Sequence, residues 1–403
     1  MIETRAALEA VDTDPVSGAR SLRVALVTSS YNYIRDGVAL TLNRLVAYLE
    51  SNGVEVLIFA PVSKAPAFVH HGEIEPTPSA PIPFRPEYRL AFGFSSKARR
   101  RLMAFAPDII HVATPDLLGR EALRVGARLN VPVVASYHTR YETYLSHYRM
   151  GFLSKFGGTW LADFYRRCRE VYVPSLSMAE VLIDQGAGDN LHLWPRGVDT
   201  RRFHPERRSQ AWRTAHGIGA EEVVVAFVSR LVKEKRLATL VDVLHRLRAA
   251  GIPHRALIVG DGPERAALEG ALPAAVFTGF AVEDELAQAY ASADIFVFPS
   301  DTETFGSVTL EAMASGLPTL CADATGSRSL VKPGVTGFLH DAGDGEAFFR
   351  SVSILIADPA RRRAMGEAAR AHSLRFSWDE AMAGLLARYR ALAECAVPVV
   401  DAP

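Results

Sequence analysis

The sequence predicts an α/β protein built from two successive doubly wound domains that face a cleft. Three observations carry that expectation. Short apolar runs alternate with segments of helical period, the alternation breaks near residue 196 and restarts near 223, and 403 residues suit about two to three domains. Strand–helix–strand alternation implies parallel sheets joined by right-handed crossovers.

The elements follow in order. Residues 1–20 read as a loose tail, without the basic start and apolar run of a signal peptide. Asp12-Thr13-Asp14 looks like a metal-binding pair, but nothing beside it would hold an ion rigidly. The first domain spans 21–195. Arg23–Thr28 is apolar enough for a strand buried on both faces, and a loop follows to Gly37. Val38–Ser51 places Leu42, Leu45, Val46 and Leu49 at helical spacing and stops at Asn52-Gly53. Val54–Ala60, Ile109–Val112, Val131–Ser136 and Val171–Val173 are further strands, with a helix over 116–129. The proline-rich stretch 61–86 reads as irregular, because proline disfavours regular structure. A polar segment from Arg196 to Arg208 marks the boundary. The second domain, 200–375, holds strands at Val223–Val228, Ala256–Val259, Val276–Thr278, Ile295–Phe298 and Pro318–Cys321, with helices over 235–250 and 263–271. Residues 376–396 form an amphipathic closing helix, apolar at Met382, Leu385, Leu386, Tyr389 and Leu392, that packs back on the first domain. Each half is Rossmann-like, and ligands of such sheets sit beyond the carboxyl ends of the strands.

Composition excludes several classes. There are 45 Lys+Arg against 45 Asp+Glu, so no global field draws in nucleic acid. No stretch reaches the ~18–20 apolar residues of a membrane span. Cys168, Cys321 and Cys395 are odd in number and far apart, which argues against a disulfide framework or a cysteine zinc site. They read as buried free thiols of a cytoplasmic protein.

The chemistry lies in strand-to-helix loops. Asp301–Pro318 leaves a strand, turns at Gly306 and opens a helix near Ser307 that stops at Gly316-Leu317-Pro318. Free N–H groups at that helix start suit phosphate oxygens. Glu303 precedes the helix and Glu311 lies inside it. Two carboxylates around one anion site make sense if they grip hydroxyls on either side of a diphosphate. A lone Glu311 could equally complement the helix dipole. Ser229–Arg236 follows the strand Val223–Val228, so Arg230 and Lys235 can face the same diphosphate. A solvated basic helix start is the alternative, although cations there oppose the dipole. The loop Val259–Glu264 is glycine-rich but lacks the dinucleotide GxGxxG pattern, and Tyr31–Gly37 is no Walker loop. In the first domain, Val131–Ser136 delivers Tyr137-His138-Thr139-Arg140 to the cleft edge. A histidine there is as readily structural as catalytic. Gly37 could bring backbone N–H groups to phosphate from the opposite side.

The runs SRLVKEK, VGDGPE, ETFGSVTLEAMASGLP and RGVDTRRFHP, with SLRVALVTSS at the start, resemble the retaining GT-B glycosyltransferases of family four over about residues 21–395. Asp36-Gly37-Val38 and SYHTRYETYLSHY are similar to the subgroup of sulfoquinovosyl-diacylglycerol synthases and lipid α-mannosyltransferases. The resemblance implies a hexosyltransferase that takes a UDP- or GDP-sugar in its second domain and a lipid or glycan acceptor in its first. His138, Glu303, Arg230 and Lys235 would be catalytic. Gly37, Gly279, Phe280, Phe305, Gly306, Ser307 and Glu311 would join Arg230, Lys235 and Glu303 in holding the donor. Tyr33, Arg140, Tyr141 and Tyr144 are acceptor-side candidates. No metal or other cofactor is required, because Arg230, Lys235 and the helix start supply positive charge. Family members often carry an acid where Ser329 stands, a departure on the phosphate side. The basic segments 95–105 and 144–156 suit peripheral contact with an anionic membrane at its inner face, and an exposed helix with ordinary arginines is the alternative. Rival classes are a nucleotide-sugar epimerase of the same fold, transfer to a soluble or polysaccharide acceptor, and a non-catalytic binding module.

Overall fold

The computed structural model describes residues 20–82, 85–138 and 151–396, with side chains from 86 and 158 onward in the last two segments up to 395. The expected pair of α/β domains is present. The first sheet has seven strands in the order β3-β2-β1-β6-β7-β8-β9. These are β1 Arg23–Val27, β2 Glu55–Ala60, β3 Glu73–Pro76, β6 Ile109–Val112, β7 Val133–Ser136, β8 Glu170–Val173 and β9 Leu191–Leu193. The second has six, in the order β12-β11-β10-β13-β14-β15. They are β10 Val224–Val228, β11 Arg255–Val259, β12 Val276–Gly279, β13 Ile295–Phe298, β14 Thr319–Ala322 and β15 Gly337–His340. All pairings in both sheets are parallel. Strand order reverses between β1 and β6 in the first sheet and between β10 and β13 in the second. Those are the points where a crevice opens beyond the strand ends.

The proline-rich stretch is more regular than expected. It supplies β3 at the sheet edge and the antiparallel hairpin β4 Ser79–Ile82 with β5 Arg85–Ala91. Pro76 ends an edge strand and Pro81 lies beside a register shift, where a missing N–H costs nothing in a ladder.

Two apolar clusters line the faces of the first sheet, and a third fills the second domain. The helix Trp378–Ala396 belongs to the first domain's core: Met382, Leu385, Leu386 and Tyr389 pack with Val24, Leu26, Leu42 and Leu45. Arg388 clamps it to Glu170 of β8, Nε to carboxylate at 2.7 Å. The chain therefore passes between domains twice. The two passages touch where a Cβ on Gly197 would lie 2.3 Å from Trp378 N, and Val198 N donates to Phe376 O at 3.0 Å. All three cysteines are free; Cys168 and Cys321 are buried, but Cys395 is exposed because it falls on the outer side of the closing helix. Among the described residues no helix is long and apolar enough to cross a membrane.

The basic segment forms the helix Ser96–Phe105, and its cations are largely paired. Lys97 pairs with Glu75 at 3.0 Å, Arg101 with Glu73 at 2.8 Å, and Arg99 with Glu121. The fold sets carboxylates from β3 and the helix Leu117–Leu129 beside it, so of its four cations only Arg100 lacks an acidic partner among the described residues. Residues 144–150 lie outside the described residues, as does Asp12-Thr13-Asp14.

Candidate functional site

Both reversal points carry the loops singled out in the sequence. After β10, Ser229–Arg236 lies against the glycine-rich loop that follows β11. Leu231 N donates to Asp261 O at 2.9 Å and Glu264 N to Leu231 O at 3.1 Å. A Cβ on Gly262 would stand 2.4 Å from Leu231 O, so this glycine exists to let the two backbones touch. VGDGPE is thus the support of the SRLVKEK loop.

Lys235 ends a short 3₁₀ turn, Lys233–Lys235, and its Nζ pairs with the Glu303 carboxylate. Its side chain is 13% exposed, which removes the reading of a solvated basic helix start. The ring of Phe298 lies 5.8 Å from the ammonium. Arg236, which sequence reasoning passed over, pairs with Asp301 at 2.5 Å. Arg230 is exposed and makes no hydrogen bond or ion pair among the described residues. Its charge reaches across the cleft to Asp36, whose carboxyl it draws down while burial pushes it up more strongly. Asp36 caps the helix Gly37–Ser51 through Ala39 N at 2.8 Å. A Cβ on Gly37 would meet nothing, so the start of that helix is open.

The loop after β13 is held from below. Glu303 O accepts Gly326 N at 3.0 Å and Thr325 Oγ1 at 2.8 Å. Gly306, at φ +90°, turns the chain into the helix Ser307–Ala314, which has no side-chain cap. Its first N–H groups are left to bind an anion. Phe305 beside it is buried. Glu311, one turn on, accepts Tyr290 OH at 3.1 Å. Desolvation pushes its carboxyl up to about 7, against the lowering effect of that hydrogen bond. Gly279 O accepts Gly260 N at 2.8 Å, and Phe280 after it is 67% exposed. Arg230, Lys235, Glu303, Gly306, Ser307 and Glu311 therefore sit on the two loops that diverge from neighbouring strands β10 and β13. Gly279 and Phe280 lie two strands away, beyond β11 at the end of β12.

From the first domain, His138 follows β7. Its Nε2 lies 2.7 Å from Ser136 Oγ and its Nδ1 2.8 Å from an Arg196 Nη. Burial first, then the Arg196 charge, holds its imidazole well below the ordinary histidine range. Both ring nitrogens are engaged, so the side chain is a locked neutral group here. Its carbonyl accepts Thr304 Oγ1 at 3.1 Å, which joins the domains next to Glu303. Ser175 Oγ donates to Thr304 O at 3.3 Å, and Ser177 meets Thr325 O and, at 2.8 Å, Ser329 Oγ. Ser329, the departure from the usual acid, is thus part of the interdomain seam. At the other rim Arg35 approaches Glu283 at 3.7 Å. The Tyr33 hydroxyl is used twice, donating to Ser29 O at 2.7 Å and accepting Arg89 N at 3.0 Å, so it fastens the hairpin to the loop. Arg140, Tyr141 and Tyr144 lie outside the described residues.

Sequence reasoning missed Arg196, His111, Ser136, Tyr389, Thr304 and the Ser175–Ser177 pair. The available signal was a histidine inside the otherwise apolar strand β6, and an arginine in RGVD that is 6% exposed.

Comparison with known proteins gives the family of the chain. Residues 208–372 match the family described as glycosyl transferases group 1, and residues 35–202 match glycosyltransferase family 4. The chain is 34% identical to a sulfoquinovosyl transferase of Arabidopsis thaliana, over 91% of this chain and 73% of that protein. It is 36% identical to a GDP-mannose-dependent alpha-mannosyltransferase of Mycobacterium tuberculosis, over 92% of this chain and 97% of the other. An alpha-monoglucosyldiacylglycerol synthase of Acholeplasma laidlawii is 25% identical over 74% of this chain and 79% of its own length. In three dimensions the chain is similar to sucrose-phosphate synthase of Thermosynechococcus elongatus. The TM-score is 0.78 at 20% identity, covering 93% of this chain and 100% of that one.

Proposed function

The chain belongs to glycosyltransferase family 4, with the GT-B arrangement of two Rossmann-like domains, and from that premise we propose that it moves a hexosyl unit from a UDP- or GDP-sugar to a hydroxyl of a membrane lipid or glycolipid, with retention at the anomeric carbon and without a metal. One observation supports this reading above the others: an Arg230 without an ion-pair partner among the described residues, a Lys235–Glu303 pair and an uncapped helix start lie where β10 and β13 part. That set can receive a diphosphate and, beside it, sugar hydroxyls. A lipid acceptor draws on a relative named for diacylglycerol, and a GDP-sugar donor on one named for GDP-mannose.

In the reaction the bond from the anomeric carbon to the diphosphate oxygen breaks as the acceptor oxygen bonds to the same face. The acceptor proton passes to the departing diphosphate. Negative charge grows on that leaving group, so Arg230, Lys235 and the N–H groups from Ser307 act most strongly in the transition state. Donor binding draws Lys235 toward phosphate and frees Glu303 for sugar hydroxyls. In this reading Glu311 takes the ribose hydroxyls, and Phe280 lies against the base. The Ser/Thr seam at Thr304, Ser175 and Ser177 closes the cleft and excludes water.

The test is incubation of the purified chain with a panel of UDP- and GDP-sugars, with and without lipid extract. Transfer to lipid with the donor's anomeric configuration retained is expected. Release of an isomerised sugar nucleotide without acceptor would identify an epimerase instead. Binding with no turnover would identify a binding module.

A further inference from the structure

A hydrogen-bonded chain runs from the closing helix to the cleft. Tyr389 OH meets His111 Nδ1 at 2.5 Å, His111 Nε2 meets Ser136 Oγ at 2.7 Å, Ser136 Oγ meets His138 Nε2 at 2.7 Å, and His138 Nδ1 meets Arg196 at 2.8 Å. We propose that Arg196 is a positioning residue for the transfer reaction: it locks the tautomer and orientation of His138, and through His138 the place where the donor loop meets the first domain. The role in catalysis rests on the function proposed above, but the lock itself does not.

A guanidinium has donors only and stays protonated in proteins. His138 Nδ1 must therefore accept, which leaves the proton of the neutral ring on Nε2. Nε2–H then donates to Ser136 Oγ. One cation thus fixes the proton positions of the two hydrogen bonds that hold the His138 ring, and Ser136 links that ring to His111 and Tyr389.

Arg196 is a buried cation with no anion beside it among the described residues. It is 6% exposed, and its other neighbours are Trp194 O at 3.5 Å and the Trp194 ring at 4.5 Å. A buried cation without an anion is costly, and an apolar residue of that volume would fit the core better. What the cation secures is His138. Around that ring stand Arg196, His111, Ser136 and the edge-on indole of Trp194, with ring centroids 5.9 Å apart. The carbonyl of the same residue receives Thr304 Oγ1, one residue from the Glu303 that holds Lys235. A ring free to flip or to protonate would move that carbonyl and the donor loop with it. His138 itself then works as a fixed neutral group, and not as the acid or base.

The experiment needs no substrate for its first half. Protein labelled with ¹⁵N in the histidine rings is followed by long-range ¹H–¹⁵N correlation, with His138 assigned by loss of its signals in His138→Asn. The wild type should show His138 protonated at Nε2, bare at Nδ1, and unchanged from pH 5.5 to 8. A wild-type His138 protonated at Nδ1, or titrating in that range, overturns the proposal even if no Arg196 variant folds. In the second half, Arg196→Met should let the His138 proton exchange between Nε2 and Nδ1, lower kcat about tenfold or more through loss of positioning, and leave KM for the sugar nucleotide within about twofold. Arg196→Lys, which still donates to Nδ1, should restore most of kcat and the single Nε2–H tautomer. Arg196→Met with wild-type kcat and an unchanged tautomer overturns the positioning role. Absence of transfer by the wild type with every donor would instead sink the function proposed above and leave the spectrum valid.

Discussion

The desolvated Glu311 carboxyl supplies a pH signature that can be worked through. Its pKa rises from 4.5 to about 7, chiefly through burial. That rise corresponds to about 3 kcal/mol between the ionised and neutral forms. The sign follows from proton counting. Below pH 4.5 both the folded and unfolded chains carry the proton, and the group costs nothing. Between 4.5 and about 7 the unfolded chain has released the proton while the folded one keeps it, so stability falls as pH rises. Above about 7 the folded protein carries the full penalty. Glu311→Gln keeps the shape and a partner for the Tyr290 hydroxyl but removes the titration. The melting temperature of wild type minus variant should therefore drop by roughly 6–12 °C between pH 4.5 and 7.5, at ~2–4 °C per kcal/mol for a domain of this size. Asp36 and Asp116 are also pushed up by burial, but they titrate equally in both proteins and cancel in the difference. Scanning calorimetry at half-unit pH steps is the assay. A difference constant across that range would refute the desolvated carboxyl. If Glu311 grips ribose hydroxyls as a carboxylate, affinity for nucleoside diphosphate should also tighten as pH rises through 7 in the wild type alone.

Other predictions concern the donor side. Lys235→Ala should lower kcat/KM by ~10²–10³, as loss of one charge-stabilising donor does, and full activity would remove Lys235 from the reaction. Gly326→Ala places a Cβ 2.7 Å from Glu303 Cβ and 2.9 Å from Phe305 C. It should cost ~1–3 kcal/mol by overpacking and raise KM for the sugar nucleotide; denaturation and kinetics both at wild-type values would contradict the packing argument. Transfer should persist in EDTA, and complete loss restored by Mg²⁺ would refute the proposal of metal independence.

Much was legible because local rules reach far enough. The alternation of buried runs with helical periods marked the strands on either side of each reversal point. Gly306 and the run to Gly316-Leu317-Pro318 marked a helix, observed at Ser307–Ala314, from its turn to its stop. The motif at 229–236 was legible as a basic loop, but its pairing was not. That Lys235 takes Glu303, and Arg236 takes Asp301, depends on β10 and β13 being neighbours. The proline-rich stretch was misread for a related reason. A proline is tolerated or not according to whether its strand is an edge, and sequence does not mark edges.

Sequence by itself thus determined the two α/β halves, the loops that carry the chemistry and the family. Tertiary structure alone decided the charges. Residues 73, 75 and 121 pair with three of the four cations of the helix Ser96–Phe105, and residues 111, 136, 138, 196 and 389 form one hydrogen-bonded chain. The physical reason is range. Helix and strand periods, caps and turns act over a few residues, whereas hydrogen bonds and ion pairs act over a few ångströms, and only the folded chain brings positions 111 and 389 that close.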